Sequence, residues 1–235
     1  MTTTNTGTGT GTSRTSRASH AINDFADGLG ITLMNQAQDT LPPLQRELHR
    51  AILAVFVDTG AAPTTAWITD RATQLGADPD QAMARLAAAD LVHTANGSVT
   101  VAYPFSGTAT PHEVQFDYGP AVWAMCGGDA LGIPLMARRT ATITSADPHT
   151  GEPIRIRYHG AGDWQWEPDS TVMLVAGTTG CRTAAEAACR HVHFFTRPDH
   201  ARAYLQANPA LSGQVYDQAD SIEVGQTVFG SLLGR

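Results

Sequence analysis

The stretches TATITS (Thr140–Ser145) and IRIRY (Ile154–Tyr158) decide the class of the fold. Apolar and polar side chains alternate in both, which is the pattern of a strand with one buried face. The segment between them contains TGEP (Thr150–Pro153), whose glycine and proline favour a turn. A third strand-like segment follows at Val172–Val175. The sequence therefore predicts one antiparallel sheet that contains all three strands.

Helices are predicted on both sides of these strands. Upstream, a loose helical pattern covers Ala21–Asn35, and a clearer one opens at Leu41-Pro42-Pro43 and ends at Gly60. Downstream, three further segments are helix-prone: Ala184–Ala188, Asp199–Gln206 and Ala219–Leu233. A mixture of separate helices and antiparallel strands is typical of an α+β protein.

Two short helices and a hairpin are predicted before the sheet. Thr65 precedes the first helix, and Asp78-Pro79 supplies an N-cap and a first-turn proline for the second. Asn96-Gly97 then favours a tight hairpin between Leu91–His93 and Ser98–Tyr103. Helices followed by a small hairpin resemble a winged helix.

The predicted fold class is α+β, with a small N-terminal helical winged-helix-like domain followed by a mixed domain of antiparallel strands flanked by helices. Residues 1–20, rich in threonine, glycine and serine, are predicted to be a disordered tail. Residues 21–110 form the predicted helical domain, and residues 111–235 form the predicted α+β domain.

The composition excludes several classes of protein. The net charge is −7 and the chain contains no lysine, which argues against a surface that neutralises phosphates, so no nucleic-acid partner is expected. No apolar run approaches the roughly 20 residues that span a bilayer, and the N-terminus lacks the apolar core of a secretory signal. Three cysteines, an odd number, indicate free thiols in a reducing compartment. We therefore expect a cytoplasmic protein without a membrane partner.

A thiol and a carboxyl lie close together in the sequence. Cys126 and Asp129 are three residues apart in Gly119–Leu131, a segment with a helical pattern, so both would project from one helix face. Such a pair could bind a soft metal and move a proton at the same place. The alternative is an inert buried cysteine beside a surface aspartate. A helix that starts near Gly119 would also leave the thiol beyond the first turn, where the helix dipole lowers its pKa only slightly.

Two glycines separate this pair. Each glycine in a helix interior costs about 1 kcal/mol relative to alanine, so Gly127 and Gly128 need a reason. They could allow close approach of a substrate or of another backbone, or they could mark a helix that is distorted or begins late.

A second cysteine lies in a segment rich in histidine. If the chain is a continuous strand from Cys189 to Phe195, its two-residue period puts Cys189, His191 and His193 on one side. These could form a zinc or copper site, although zinc needs three or four converging ligands, or the histidines could be structural groups with hydrogen bonds. Cys181 is predicted to be an accessory or incidental thiol.

Two of these segments together resemble a known family. Trp123–Pro134 (WAMCGGDALGIP) resembles the first catalytic motif of the organomercurial lyases, also called alkylmercury lyases, and Cys189–Phe195 (CRHVHFF) resembles the stretch with their second essential cysteine. Thr150–Pro153 is similar to a turn of that family, and the resemblance extends over about Leu41–Leu233. Three departures from the pattern are the Gly127-Gly128 pair, and Arg190 and Asp147 at or near positions where the family often has cysteine.

The resemblance implies an enzyme that breaks a carbon–mercury bond by protonolysis and gives a hydrocarbon and Hg(II). The implied catalytic residues are Cys126, Asp129 and Cys189, which would also hold the mercury of substrate and product, and residues 111–235 would be the catalytic domain. The implied partners are an organomercury substrate, low-molecular-weight thiols and mercuric reductase, and no cofactor is expected. An apolar wall that keeps the carboxyl protonated is expected from three large side chains: Trp123, Leu131 and Phe194.

Two other functions are compatible with parts of the sequence. A winged-helix, metal-responsive transcriptional regulator would use Pro79–Leu91 as its recognition helix, but Arg85 is the only cation there, whereas DNA readers need several contacts. A non-catalytic soft-metal-binding protein would keep the thiols without turnover. Only a measurement of activity separates this carrier from an enzyme.

Overall fold

A computed structural model describes residues 17–234 of the chain. Within this range it contains nine α-helices: α1 (Arg17–Leu29), α2 (Met34–Thr40), α3 (Pro43–Thr59), α4 (Thr65–Gln74), α5 (Pro79–Ala88), α6 (Gly127–Ala137), α7 (Ala184–Ala187), α8 (Pro198–Ala207) and α9 (Gln218–Phe229). Most of the predicted tail, residues 1–16, lies outside the described residues, and residues 17–20 belong to α1. None of these helices is both long and apolar enough to cross a membrane.

The strands form two antiparallel sheets. In chain order, those of residues 17–234 are β1 (Val92–Ala95), β2 (Ser98–Ala102), β3 (Phe105–Ser106), β4 (Glu113–Phe116), β5 (Ala121–Ala124), β6 (Ala141–Ala146), β7 (Pro153–Gly160), β8 (Asp163–Glu167), β9 (Val172–Gly177), β10 (His193–Phe195) and β11 (Ser212–Tyr216). The large sheet has the order β1-β2-β3-β5-β4-β6-β7-β8, and the small sheet has the order β10-β9-β11. The predicted α+β class is confirmed.

The strands that decided the class are neighbours in the large sheet. β6 pairs with β7, and Ile143 lies opposite Ile156 on the buried face. The prediction that Val172–Val175 joins the same sheet is wrong, because β9 is the central strand of the small sheet. All six residues of β9 are buried. Its apolar residues form a continuous run and do not alternate with polar ones as they do in β6 and β7. Such a run is typical of a strand that is covered on both faces.

Helix α6 lies between the two sheets. It contacts β4, β5 and β6 of the large sheet and β9 and β10 of the small one, and it packs along α9. All of its residues except Leu135 are buried, as expected for a helix that is apolar on every side. The two helices approach closely at Gly132, where a Cβ atom would lie 2.3 Å from the Phe229 ring.

The prediction of a helix over Gly119–Leu131 is wrong in its first half. Ala121–Ala124 is strand β5, hydrogen-bonded to β3 on one side and to β4 on the other. Helix α6 begins only at Gly127. Pairing with two neighbouring strands thus overrides the local helical pattern.

The predicted N-terminal helices and hairpin are present. Asp78 caps α5 by accepting a hydrogen bond from the backbone N–H of Gln81, and Asn96 and Gly97 both have the positive φ that a tight hairpin needs. The hairpin does not stand apart, because β2 pairs with β3 in the large sheet. This sheet therefore crosses residue 110, and the domain boundary there stays a prediction.

The segment predicted as one loose helix, Ala21–Asn35, is divided between two helices. Gly30, with φ +69°, follows the end of α1, and α2 starts at Met34. Helix α1 packs on α9, and the Ser19 hydroxyl donates a hydrogen bond to Glu223 at 2.6 Å. The first and last described helices therefore meet next to α6.

Candidate active site

The start of α6 places a thiol against a carboxyl. Cys126 is the N-cap residue, with an extended backbone, and Asp129 lies in the first turn. The Cys126 Sγ donates a hydrogen bond to Asp129 Oδ2 at 2.6 Å, and both residues are buried. The expectation that Cys126 lies beyond the first turn is wrong, because the helix begins one residue after it. This late start also accounts for Gly127 and Gly128, which occupy the first turn and not a helix interior.

The second cysteine reaches the same carboxyl from another part of the chain. Cys189 lies in a 3₁₀ turn, Cys189–His191, between α7 and β10. Its Sγ is 3.9 Å from Oδ2 of Asp129, the oxygen that also contacts Cys126. The two sulfurs and a carboxylate oxygen all lie within 4.8 Å of one another. The structure thus brings together all three residues that the sequence singled out.

A backbone contact joins the two thiol segments. The N–H of Gly127 donates a hydrogen bond to the carbonyl of Val192 at 2.9 Å. A Cβ atom at Gly127 would lie 3.4 Å from the Phe194 ring and from the same carbonyl. The start of α6 therefore lies directly against the chain that follows Cys189, and a Cβ at Gly127 would make only ordinary van der Waals contacts there.

The expected zinc or copper ligands do not converge. The 3₁₀ turn interrupts the strand alternation, so Cys189, His191 and His193 do not share one face. His191 Nδ1 hydrogen-bonds to the Tyr204 hydroxyl at 3.1 Å, and His193 Nε2 donates to the Arg190 carbonyl at 2.7 Å. Both histidines thus make structural hydrogen bonds, which was the alternative to a zinc or copper site.

A small apolar cavity of about 80 Å³ adjoins the two thiols and the carboxyl. Its walls include Ile22 and Phe25 of α1, Met34 at the start of α2, and Val228 and Phe229 of α9. None of the three side chains that were expected to surround the carboxyl lines this cavity: Trp123, Leu131 and Phe194. The wall comes instead from helices distant in the sequence. An apolar wall of this kind can receive a small organic group beside the sulfurs.

Comparisons with known proteins identify the family of this chain. A family model described as "MerB: Alkylmercury lyase" matches residues 105–230, which is more than half of the chain and includes all three site residues. The chain belongs to the alkylmercury lyase family. It is therefore an enzyme, and the winged-helix regulator is not favoured.

Individual members of the alkylmercury lyase family match over most or half of the chain. An alkylmercury lyase of Streptomyces lividans is 26% identical over 205 residues, which cover 80% of this chain and 94% of that protein. One of Bacillus cereus is 32% identical over 117 residues, 50% of this chain and 52% of that protein. A crystal structure of the mercury-bound form of MerB2 superposes with a TM-score of 0.68 at 21% identity and covers 85% of this chain and 96% of that one. This last likeness establishes the fold.

Burial governs the protonation of the site in this alkylmercury lyase family member. It raises the pKa of Asp129 well above its ordinary value, and the neighbouring Cys126 adds to the shift. Burial likewise raises the pKa of Cys126 well above its ordinary value, and Cys189 adds to it. The hydrogen bond with Cys126 lowers the pKa of Cys189, but burial and the charges of Asp129 and Asp90 outweigh it, so this pKa is raised too. All three groups therefore hold their protons tightly before a ligand binds.

Several residues at the site were missed by the sequence analysis. Tyr103, between β2 and β3, is fully buried and lines the cavity, as do Val224 and Val228 of α9. The three- and four-residue spacing of the helical members indicates only a buried helix face. A lone tyrosine before a proline carries no signal of a site. Their role follows from tertiary packing alone.

Proposed function

We propose that the protein cleaves the carbon–mercury bond of organomercury(II) compounds by protonolysis and gives a hydrocarbon and Hg(II). One observation carries the proposal: the two thiols of Cys126 and Cys189 face the same oxygen of the buried Asp129 carboxyl, at 2.6 and 3.9 Å. Membership of the alkylmercury lyase family supports it.

The two thiols explain why the metal of the proposed substrate is mercury. Thiolates are soft ligands that prefer soft cations, and mercury(II) extends the series of such metals. Two sulfurs on separate segments can hold one mercury between them. The apolar cavity beside them then accepts the organic group. In this proposal mercury enters as part of the substrate and leaves as product, and the protein needs no resident cofactor.

The reaction is balanced without any oxidant. In R–Hg–X, the thiolate of Cys126 replaces X, which leaves with the thiol proton. The sulfur of Cys189 then binds the mercury as Asp129 delivers its proton to the carbon, which keeps the electron pair of the breaking C–Hg bond. The thiol proton of Cys189 replaces the proton that Asp129 has given up. The products are R–H and mercury(II) bound to two thiolates.

The raised pKa values support these proton movements. A carboxyl that is to protonate carbon must hold a proton near neutral pH, and burial raises the pKa of Asp129 in that direction. The thiols begin protonated, and the metal itself displaces their protons when it binds. One carboxylate oxygen close to both sulfurs can take a proton from either of them.

Product release requires other thiols. We propose that low-molecular-weight thiols take the mercury from Cys126 and Cys189, and that mercuric reductase receives it afterwards. These thiols are abundant in a reducing compartment, and none of the three cysteines is paired in a disulfide. A cytoplasmic location follows from this proposal.

The test is an assay for hydrocarbon. Purified protein with excess thiol should release benzene from a phenylmercury salt, or methane from a methylmercury salt. Cys126→Ser and Cys189→Ser should abolish release, because a hydroxyl is a poor ligand for a soft metal. Cys181→Ser is the matched control, since this partly buried cysteine lies outside the group of three. It should keep most of the activity.

Two outcomes would overturn the proposal. Wild-type protein that retains mercury but releases no hydrocarbon would be the non-catalytic soft-metal carrier. Equal rates for all three serine variants would remove the cysteines from the reaction.

A further inference from the structure

Two buried polar atoms next to the thiols lack hydrogen-bond partners. These are the Tyr103 hydroxyl oxygen and Oδ1 of Asp129, for which residues 17–234 supply no partner. Tyr103 and Asp129 are each 1% exposed, and both line the same cavity. Because an unpaired buried polar group is costly, its presence in a native protein needs an explanation. The Tyr103 hydroxyl is a donor. Oδ1 carries the proton of Asp129 in the resting site, because Oδ2 accepts from Cys126, and it becomes an acceptor once that proton has left.

The surroundings hold Tyr103 in place. Its backbone N–H donates a hydrogen bond to the Leu91 carbonyl at 3.2 Å, and the carbonyl of the next residue, Pro104, accepts one from Met125 at 3.1 Å. The ring makes an edge contact with His93, with a centroid distance of 5.5 Å. The phenol is thus fixed between the hairpin and the residue that precedes Cys126.

The hydroxyl of Tyr103 keeps its proton. Burial raises its pKa, and the charges of Cys189, Asp90 and Asp129 raise it further, which outweighs the opposing effect of the Ala185 backbone N–H. That N–H is a donor near the hydroxyl oxygen, so it cannot accept the hydroxyl proton. His93, the other titratable group in contact with the ring, is hydrogen-bonded to Asp90. Tyr103 is therefore a donor whose proton has no acceptor in the resting site.

The proposed reaction creates the missing acceptor. Before it, the Cys126 thiol donates to Asp129. As Asp129 gives its proton to carbon, the Cys126 sulfur holds mercury and no longer donates, so a carboxylate develops in an apolar cavity. A buried carboxylate without donors is strongly destabilised.

We propose that Tyr103 is a positioning residue that donates a hydrogen bond to the Asp129 carboxylate as its proton passes to carbon. This inference rests on the proposed function and adds a residue to it. Hydrogen bonds to charged groups are strong enough to change a rate by about tenfold to a hundredfold. Because the bond forms only as charge develops, its loss should reduce the chemical step and leave substrate affinity unchanged.

Tyr103→Phe tests the inference, because it removes the hydroxyl and keeps the ring that lines the cavity. The matched control is Tyr216→Phe, at a tyrosine in β11 that is 2% exposed and lies away from the cavity. We expect hydrocarbon release in a single turnover to be at least about tenfold slower in Tyr103→Phe, with unchanged KM. Tyr216→Phe should match the wild type. The thermal midpoint of Tyr103→Phe should stay equal or rise, since an unpaired buried hydroxyl is lost.

The outcomes separate this inference from the proposed function. A wild type without hydrocarbon release contradicts the proposed function itself. An active wild type with an equally fast Tyr103→Phe overturns only the role of Tyr103. A Tyr103→Phe variant that raises KM alone, or that fails to fold, shows that the residue packs the cavity or supports the fold, and also overturns it.

Discussion

Two buried aspartates in this molecule have opposite surroundings. Asp129 is 1% exposed and Asp147 is fully buried. Asp129 has one close donor, the Cys126 thiol, and its Oδ1 has no partner within residues 17–234. Asp147 accepts from the His149 N–H, from the Thr196 N–H and hydroxyl, and from His200 Nδ1, each at 2.8 Å.

The two pKa values move in opposite directions for this reason. Burial raises both, but at Asp147 the hydrogen bonds from His200, Thr196 and His149 outweigh it, and the pKa is lowered. His200 Nε2 accepts from Arg197, which can only donate, so its Nδ1 carries the proton that faces Asp147. Asp147 is thus an anion whose carboxylate is surrounded by donors, whereas Asp129 is a proton-holding acid in a more strongly desolvated place with few donors.

The roles of the two carboxyls differ accordingly. Asp147 follows β6 and bonds to Thr196, which follows β10, so it ties the large sheet to the small one. The carboxylate of Asp147, with its hydrogen bonds satisfied, thus performs a structural task. Asp129 has its unpaired oxygen at the cavity, as expected for a group that exchanges protons.

Of the variants that test this comparison, Asp129→Asn should have the largest effect on hydrocarbon release. The amide keeps the size of the side chain and an oxygen acceptor, but it cannot deliver a proton to carbon. We expect hydrocarbon release to fall by at least about a hundredfold, the usual worth of a general acid. The two thiols remain, so the variant should still retain Hg(II) on a desalting column. A rate within tenfold of wild type would contradict the role of Asp129.

Asp147→Asn should act on stability instead. It removes a charge that accepts four hydrogen bonds from buried donors, and we expect the free energy of unfolding to fall by about 3 kcal/mol. Urea unfolding followed by circular dichroism measures this change. Hydrocarbon release per folded molecule should stay within about twofold of wild type, since no atom of the reaction is touched. An unchanged urea midpoint would contradict the role as a tether.

The pH dependence of stability distinguishes the same two variants. The pKa of Asp147 lies lower in the folded chain than in the unfolded one, so its contribution is present above about pH 4 and lost as pH falls through the folded value. The pKa of Asp129 is raised, so wild type loses stability relative to Asp129→Asn as pH rises above about 4. At neutral pH Asp129→Asn should therefore be more stable than wild type, and Asp147→Asn should be less stable. Both differences in the free energy of unfolding should shrink in acid. If both variants were more stable than wild type at neutral pH, or both were less stable, the comparison would be refuted.

Gly128→Ala tests the space beside Asp129 and should have the smallest effect. The added Cβ would lie 3.8 Å from the Cys126 sulfur and 3.7 Å from Val192, so it fits but narrows the cavity. We expect release from phenylmercury to fall a few-fold, and release from methylmercury to fall less. Gly28→Ala is the control, because its Cβ would meet nothing within 4 Å and Gly28 does not line the cavity. Equal losses with both substrates would contradict a steric effect.

The sequence predicted those parts of the protein that depend on local pattern. Alternation in Thr140–Ser145 is enough to predict β6, and the three-residue spacing of Cys126 and Asp129 is enough to predict that they are neighbours, although the helix begins later than predicted. Cys189 was found by its resemblance to a motif, because nothing local indicates a contact with a carboxyl 60 residues away.

The remaining features depend on contacts between distant segments. Ala121–Ala124 is a strand because β3 and β4 flank it, and β9 leaves the large sheet because a second layer covers it. The sequence predicted an apolar surround for the carboxyl from the motifs themselves, but it did not predict the cavity, to which α1 and α9 supply much of the wall. No local pattern distinguishes Phe25 from any other core residue.

The meeting of α1 and α9 has a consequence for the order in which the protein matures. The Ser19–Glu223 hydrogen bond joins residues 204 positions apart, and the cavity needs side chains from both of these helices. A contact of such long range cannot form until both of its ends have been synthesised and the long loop between them has closed. A chain still on the ribosome has synthesised both cysteines and Asp129 well before α9, so its thiols are complete while their pocket is not. Mercury that reaches the nascent chain would therefore find the thiols of Cys126 and Cys189 before the active site has formed.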